Sequence, residues 1–121
     1  MGQHALVTVV DDDESVRESL PDLLWQVGFA AQAFPSAEAF LGSEAVGKTR
    51  CLIVDIAMPG MSGPDLQLEL MRRRHHIPIV FITAECDEAA RRRVLAHGAV
   101  ECLFKPFSET ALLDALAAAL G

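Results

Sequence analysis

Three carboxylates are the residues whose positions most favour chemistry, because each lies at the end of a segment with the pattern of a β-strand. Asp11 and Asp12 come directly after the β-branched segment 6–10, and Asp55 ends the otherwise apolar segment 51–55. A short apolar segment bounded by turn residues is typical of a buried strand. Two carboxylates about 4 Å apart repel each other by roughly 4 kcal/mol at an effective dielectric constant of 20. If the fold brings the three together, they need protonation or a cation, and small hard divalent ions bind oxygen ligands.

Two further polar side chains follow predicted strands. Thr83 ends the segment 78–83, and Lys105 follows the segment 100–104. Lys105 offers a compact positive charge and Thr83 a hydroxyl donor, so an acidic site with both can transfer a phosphoryl group to a carboxylate nucleophile. Taken singly, these residues have simpler interpretations, such as an acidic first helical turn after residue 10 or a solvated lysine. Their occurrence together at four strand ends favours a shared site.

The spacing of apolar residues predicts five strands and five helices in strict alternation. The predicted strands are residues 6–10, 29–34, 51–55, 78–83 and 100–104, and the connection 42–50 is predicted as a polar loop. Alternating βα units predict an α/β fold with a parallel sheet and helices on both faces. The flavodoxin-like, doubly wound (βα)5 sandwich with strand order 2-1-3-4-5 fits five such units, and its ligands bind outside the carboxyl ends of the strands.

Composition restricts the class of protein. The 121 residues fit one domain, and a hydrophobic content of 51% argues against disorder. The chain lacks an apolar stretch of about 18 residues, so no membrane helix is predicted, and its first residues lack a signal-peptide pattern. The cysteines Cys51, Cys86 and Cys102 have no metal-ligand spacing, which favours a reducing compartment and hence the cytoplasm. The net charge of −7 disfavours direct binding of nucleic acid.

Four short motifs together resemble the response regulator receiver domain of two-component signalling. In order, they are VVDD at 9–12, DIAMPGMSG at 55–63, ITA at 82–84 and KPF at 105–107. Their order and separations match the family, and the resemblance extends over essentially all of residues 1–121, which we expect to form one receiver domain. Residues 10–20 are also similar to the FixJ-type subgroup.

The resemblance implies a phosphoryl-accepting switch. Asp55 would accept a phosphoryl group from the phosphohistidine of a sensor histidine kinase, and Thr83 and Lys105 would contact that group. The implied cofactor is Mg²⁺, with the ligands Asp11, Asp12, Asp55 and the backbone carbonyl of Ala57. The domain would catalyse its own phosphorylation and dephosphorylation, and it would act as a signalling switch rather than as a conventional enzyme. The expected output is control of a partner or domain in transcription regulation.

One position departs from the family pattern. The family usually has Tyr or Phe three residues before the lysine, whereas this chain has Cys102. We therefore expect signalling through Thr83 and the fourth helix without an aromatic rotamer change. Cys102 itself is interpreted as a small buried hydrophobic residue rather than as a redox sensor. The family also implies a cis bond between Lys105 and Pro106, which costs little before proline.

The family resemblance also implies partners, and other functions compete with that of a phosphoryl-accepting switch. The family often dimerises through the fourth and fifth helices, so a homodimer is one expectation, while contact with a membrane is not expected. The alternative function is a protein-interaction module that works without phosphorylation. An FMN-binding protein is disfavoured because the sheet edge is acidic and no glycine-rich loop follows the first strand. A phosphatase of the haloacid dehalogenase type would need an acid two residues after Asp55, where the chain has Ala57.

Overall fold

The computed structural model describes residues 4–85 and 87–121, which form an open, five-stranded parallel sheet. The strands are β1 (Leu6–Val10), β2 (Ala30–Phe34), β3 (Cys51–Asp55), β4 (Ile79–Thr83) and β5 (Glu101–Phe104). Their order is β2-β1-β3-β4-β5, and every neighbouring pair is parallel. The predicted flavodoxin-like (βα)5 topology is therefore confirmed.

Each strand is followed by a helix that begins beyond the carboxyl end of the sheet. The helices are α1 (Glu14–Gln26), α2 (Ala37–Leu41), α3 (Gly63–Arg72), α4 (Glu88–Ala96) and α5 (Glu109–Leu120). The connection predicted as a polar loop contains a short 3-10 helix at Glu44–Gly47, which Ser43 caps by accepting the Ala45 N–H. Among the described residues, no helix combines the length and the apolar character that a membrane crossing requires.

Two apolar clusters cover the two faces of the sheet, because successive strand residues point to opposite sides. One cluster contains Leu52 and Phe81 and packs against α2, α3 and α4. The other contains Ile53 and Ile82 and packs against α1 and α5. All residues of β3 and β4 are buried. The strand that ends in Asp55 therefore lies at the centre of the molecule.

Polar side chains at the N-caps fix where the helices begin. Each of them accepts a backbone N–H from the first turn of its helix, and the five residues are Asp13, Ser36, Ser62, Asp87 and Ser108. Such a cap stabilises a helix by about 1 kcal/mol. The helix N-termini thus lie along the carboxyl edge of the sheet, where their partial positive charge favours anions.

The start of α3 depends on a glycine. A Cβ atom at Gly63 would lie 2.5 Å from the backbone oxygen of Asp55 and 2.9 Å from the Phe81 ring. Because glycine has no such atom, α3 begins directly against the end of β3. The Gly63 N–H also donates to the Ile56 carbonyl at 3.0 Å. Gly63 therefore keeps the start of α3 close to the end of β3, so the two ends of the loop that follows Asp55 stay together.

Candidate functional site

The carboxylates of Asp11, Asp12 and Asp55 meet at the carboxyl edge of the sheet. Val10 of β1 pairs with Val54 of β3, so the next residues of these neighbouring strands come side by side. One oxygen from each of the three carboxylates lies within 4.8 Å of the other two. Asp11 and Asp55 are buried, whereas Asp12 is exposed. The structure thus brings together the three acidic residues that the sequence predicted to meet.

Every polar group of Asp11 has a hydrogen-bond partner. Its N–H donates to the Phe34 carbonyl at 3.1 Å, and its Oδ1 accepts the Asp13 N–H at 2.9 Å. Its Oδ2 accepts a hydrogen bond from Lys105 Nζ at 3.0 Å, and its carbonyl accepts one from Arg17 Nη1 at 3.0 Å. A buried charge is costly unless it is paired and hydrogen-bonded. These contacts therefore explain how a fully buried carboxylate is held at this edge.

The two oxygens of Asp55 have different surroundings. Oδ1 accepts the Ala57 N–H at 3.1 Å, while Oδ2 lies 3.6 Å from Lys105 Nζ. Burial, and after it the negative charge of Asp11, raise the pKa of Asp55 to about 6, although Lys105 opposes this shift. Burial alone lowers the pKa of Lys105, but the hydrogen bond to Asp11 and the charge of Asp55 outweigh it, so the pKa is raised. Asp55 is therefore mostly ionised at neutral pH and faces a protonated lysine.

Thr83 and Lys105 lie at the ends of the next two strands. The Lys105 N–H donates to the Thr83 carbonyl at 2.7 Å, which joins the ends of β4 and β5. The Thr83 hydroxyl accepts the Glu85 N–H at 3.2 Å and donates to the Glu85 carbonyl at 3.3 Å. The hydroxyl is thus engaged with its own loop. The expected cis bond between Lys105 and Pro106 is present.

Cys102 lies in the apolar cluster beneath α4 rather than at the acidic edge. It is 3% exposed, it is paired in register with Phe81, and it belongs to the same cluster as Val94. Burial raises the pKa of its thiol to about 11, so the thiol stays protonated at neutral pH and is a poor nucleophile. The prediction of a small buried hydrophobic residue is confirmed. Cys86 lies outside the described residues.

The three carboxylates fit a hard divalent cation. They supply oxygen donors alone, and the exposure of Asp12 leaves one side of the cluster accessible to the waters that Mg²⁺ keeps. A cation would also relieve the repulsion between these carboxylates. Ala57 is exposed at the start of the loop after β3, and its carbonyl as a further ligand stays a prediction.

Two contacts at this edge were not predicted from the sequence. Arg17 of α1 donates to the Asp11 carbonyl, and Glu38 of α2 accepts the Met61 N–H at 3.1 Å. Gly60, with a φ of +74°, leaves room for Glu38, because a Cβ atom there would lie 2.8 Å from its Oε2. Each contact joins a helix to a loop that carries site residues. Sequence spacing gives no signal for either, since both side chains bind backbone atoms of another segment.

A family model described as the response regulator receiver domain matches residues 7–117. Together with the sheet order and the acidic edge, this match shows that the chain belongs to the response regulator receiver domain family, as its motifs predicted. Receiver domains of this family act with histidine kinases and generally bind Mg²⁺ at acidic residues.

Similar proteins and structures agree with this assignment. Nodulation protein W of Bradyrhizobium diazoefficiens is 47% identical over 115 residues, which cover 95% of this chain and 51% of that protein. Transcriptional regulatory protein FixJ of Azorhizobium caulinodans is 38% identical over 115 residues, or 95% of this chain and 54% of that protein. The chain thus spans about half the length of these curated relatives.

Two solved structures share the fold at high similarity. The response regulator StyR matches with a TM-score of 0.89 and 47% identity, covering 97% of this chain and 59% of that one. The crystal structure of FixJ-N matches with a TM-score of 0.87 and 37% identity, covering 98% of this chain and 94% of that one. The likeness to FixJ agrees with the subgroup that residues 10–20 resemble.

Proposed function

We propose that this domain is the phosphoryl-accepting switch of a two-component phosphorelay, and that Asp55 accepts its phosphoryl group from the phosphohistidine of a sensor histidine kinase. The position of Asp55 supports this most strongly. It ends the central strand, is 7% exposed, and lies beside Asp11 and 3.6 Å from Lys105. A carboxylate that is ionised at neutral pH but poorly solvated is suited to nucleophilic attack.

The surroundings of Asp55 support one of its two oxygens as the attacking atom. Oδ1 is held by the Ala57 N–H, so Oδ2, which faces Lys105, is the nucleophile. The bond from Oδ2 to phosphorus forms while the phosphorus–nitrogen bond of the phosphohistidine breaks, and the imidazole leaves with the electron pair. The Lys105 ammonium is close enough to pair with an oxygen of the incoming group, where it stabilises the negative charge.

Four groups of this chain would hold Mg²⁺: the carboxylates of Asp11, Asp12 and Asp55 and the backbone carbonyl of Ala57. When bound, Mg²⁺ supplies positive charge that neutralises the phosphoryl oxygens. The support for this ligand set is the convergence of three carboxylate oxygens within 4.8 Å. Lys105 balances part of the same negative charge through its hydrogen bond to Asp11.

Thr83 would convert phosphorylation into a conformational change. Its hydroxyl accepts the Glu85 N–H at 3.2 Å, at the long end of the usual range, and donates to the Glu85 carbonyl at 3.3 Å, beyond the usual range for a hydroxyl donor. A phosphoryl oxygen is a stronger acceptor, so the hydroxyl would exchange partners, and the loop after Thr83 and α4 would follow. Because Cys102 has no ring to move, we propose that this loop and α4 carry the signal.

The energy needed for such a switch is within reach of the site. A change from 1:99 to 99:1 between two states requires about 5.5 kcal/mol of differential binding. Hydrogen bonds to a charged group contribute about 1.5–3 kcal/mol each. Two such bonds at the upper end of this range or four at its lower end would therefore suffice, and Thr83, Lys105 and the backbone of the loop after β3 can supply them.

The proposal also covers the extent of the domain, its location in the cell, its output and its pairing. Residues 1–121 form one receiver domain that acts in the cytoplasm, and its output is transcription regulation, as the name of the relative FixJ indicates for that protein. The net charge of −7 supports the absence of direct nucleic-acid contact by this domain. Phosphorylated copies pair through α4 and α5, beside the 3.3 Å ion pair of Arg91 and Glu101.

An intact-mass measurement tests the proposal. The chain is incubated with acetyl phosphate, with and without Mg²⁺, beside Asp55→Asn. We expect a Mg²⁺-dependent gain of one phosphoryl group that the variant lacks. A folded chain that gains no phosphoryl group would refute the proposal and favour the alternative, an interaction module that works without phosphorylation.

A further inference from the structure

The backbone carbonyl of Asp11 needs a donor that the sheet does not provide. The Asp11 N–H still donates to Phe34, but its carbonyl lies beyond the end of β1. On the side of β2, to which the Asp11 N–H donates, that strand ends at Phe34, and no backbone N–H among the described residues donates to the Asp11 carbonyl. Arg17, the fourth residue of α1, supplies the donor through Nη1 at 3.0 Å. A side chain from the following helix thus completes the hydrogen bonding at the end of the strand.

This carbonyl belongs to the peptide that joins Asp11 to Asp12. A peptide unit is planar, so fixing its oxygen also fixes the direction in which the chain enters Asp12. The side chains of Asp11 and Asp55 are each held by a backbone N–H, whereas that of Asp12 is exposed. The orientation of the peptide, together with the Asp13 N–H bond to Asp11 on the other side of Asp12, therefore directs Asp12 toward the other two carboxylates.

We propose that Arg17 is a positioning residue for the metal site, whose guanidinium orients the Asp11–Asp12 peptide so that both carboxylates face one cation. The inference rests on the Mg²⁺ site of the proposed function. A hydrogen bond from a guanidinium is charge-assisted and stronger than a neutral one. Removing a group that orients metal ligands typically lowers metal affinity by about 10–100-fold.

Charge and geometry predict opposite effects of removing Arg17. As a cation near three carboxylates, Arg17 repels a divalent ion, so the loss of its charge alone would tighten Mg²⁺ binding. As the donor that orients the peptide, its loss would weaken Mg²⁺ binding. If Arg17 contributed only to the stability of α1, its removal would leave the Mg²⁺ affinity unchanged. The sign of the change in Mg²⁺ affinity therefore separates these roles.

The experiment measures the Mg²⁺ dissociation constant by isothermal titration calorimetry for the unmodified chain, Arg17→Met, Arg17→Lys and the control Arg50→Met. Arg50 is exposed and immediately precedes β3, at the opposite edge of the sheet. We expect about tenfold weaker binding for Arg17→Met. Arg17→Lys keeps the charge without the planar guanidinium, so its loss should be smaller and in the same direction. The control should stay within about twofold, because its charge is distant and screened.

Unchanged or tighter Mg²⁺ binding by Arg17→Met would overturn the inference. Circular dichroism checks that each variant is folded. If Arg17→Met does not fold, Arg17→Lys decides the question, and an affinity equal to that of the unmodified chain would overturn the inference.

Phosphorylation by acetyl phosphate at varied Mg²⁺ gives a second measurement. Arg17→Met should need about tenfold more Mg²⁺ for its half-maximal rate but should reach the unmodified rate at saturation. A rate that stays low at saturating Mg²⁺ would contradict a role through the metal ligands. If the unmodified chain itself binds no Mg²⁺ and gains no phosphoryl group, the proposed function fails and the inference with it. If the unmodified chain binds Mg²⁺ and gains a phosphoryl group, and Arg17→Met does so with the same Mg²⁺ affinity and the same rate, only the inference about Arg17 is refuted.

Discussion

Asp55→Asn should stabilise the metal-free domain at neutral pH, although it removes the proposed nucleophile. Burial and the charge of Asp11 raise the pKa of Asp55 from 3.8 to about 6. Between these values the folded state binds more protons than the unfolded state, so the free energy of unfolding falls as the pH rises. The stability from this group is present below about pH 4 and has been lost above about pH 6.

The size of the effect follows from the shift. A difference of about two pKa units corresponds to about 3 kcal/mol, which is an upper limit because the site can relax. Asparagine keeps an oxygen that can accept the Ala57 N–H, and Lys105 keeps its partner Asp11. We expect the variant to gain about 1–3 kcal/mol at about pH 7.5 and much less near pH 4.5.

Urea unfolding followed by circular dichroism in the presence of EDTA measures this difference. Hydrogen bonds with Ser15 lower the pKa of Asp13, and hydrogen bonds with arginines lower that of Glu69. The unmodified chain and Asp55→Asn share these shifts, so they cancel when the two stabilities are compared. Asp12→Asn is the matched control, since that carboxylate is exposed and its loss should change stability less. A variant no more stable than the unmodified chain, or a gain independent of pH, would refute the reasoning.

Added Mg²⁺ should reduce the stability advantage of Asp55→Asn. An ion that binds only the folded state stabilises it by about 2.7 kcal/mol at 100 times its dissociation constant. Asp55→Asn lacks one charged ligand, so it should gain less from added Mg²⁺ than the unmodified chain does. An equal gain in both proteins would show that Asp55 is not a ligand.

Three further predictions concern buried residues. Gly63→Ala should cost about 1–3 kcal/mol in thermal unfolding, because its methyl group overlaps the end of β3, and unchanged stability would contradict the close contact. Gln67→Met should change the free energy of unfolding in urea by less than about 1 kcal/mol, because it removes both the hydrogen bond to the Val94 carbonyl and a buried amide oxygen that has no partner among the described residues. A loss above about 2 kcal/mol would contradict that balance. Cys51 and Cys102, whose pKa values burial raises to about 12 and about 11, should resist thiol reagents in the folded domain. Peptide mapping checks this, and rapid labelling of either would contradict it.

The sheet and the position of its acidic edge could be predicted because two strong patterns coincide. The run that ends in Asp55 is apolar up to the carboxylate, and all of β3 is buried as such a run requires. Strict βα alternation then leaves few topologies, and the observed order places Asp11 beside Asp55. The loop at 42–50 was predicted less well, because the 3-10 helix there depends on one capping serine and on the burial of Ala45.

The contacts within the site could not be predicted from spacing. The sequence places Lys105 after β5, but side-chain rotamers decide that its Nζ lies 3.0 Å from Asp11 and 3.6 Å from Asp55. Thr83 lies at the predicted strand end, yet its hydroxyl binds the Glu85 backbone. Arg17 donates to the backbone carbonyl of Asp11. Every residue has such a carbonyl, so residue types do not reveal this contact.

The most direct test of the central claim is to locate the phosphoryl group. Borohydride reduces an acyl phosphate to an alcohol, so it converts a phosphorylated aspartate into homoserine, which peptide mass spectrometry can place in the sequence. After incubation with acetyl phosphate and Mg²⁺, we predict homoserine at position 55, and none there without Mg²⁺. Homoserine at Asp11 or Asp12, or none in a folded chain that binds Mg²⁺, would contradict the account.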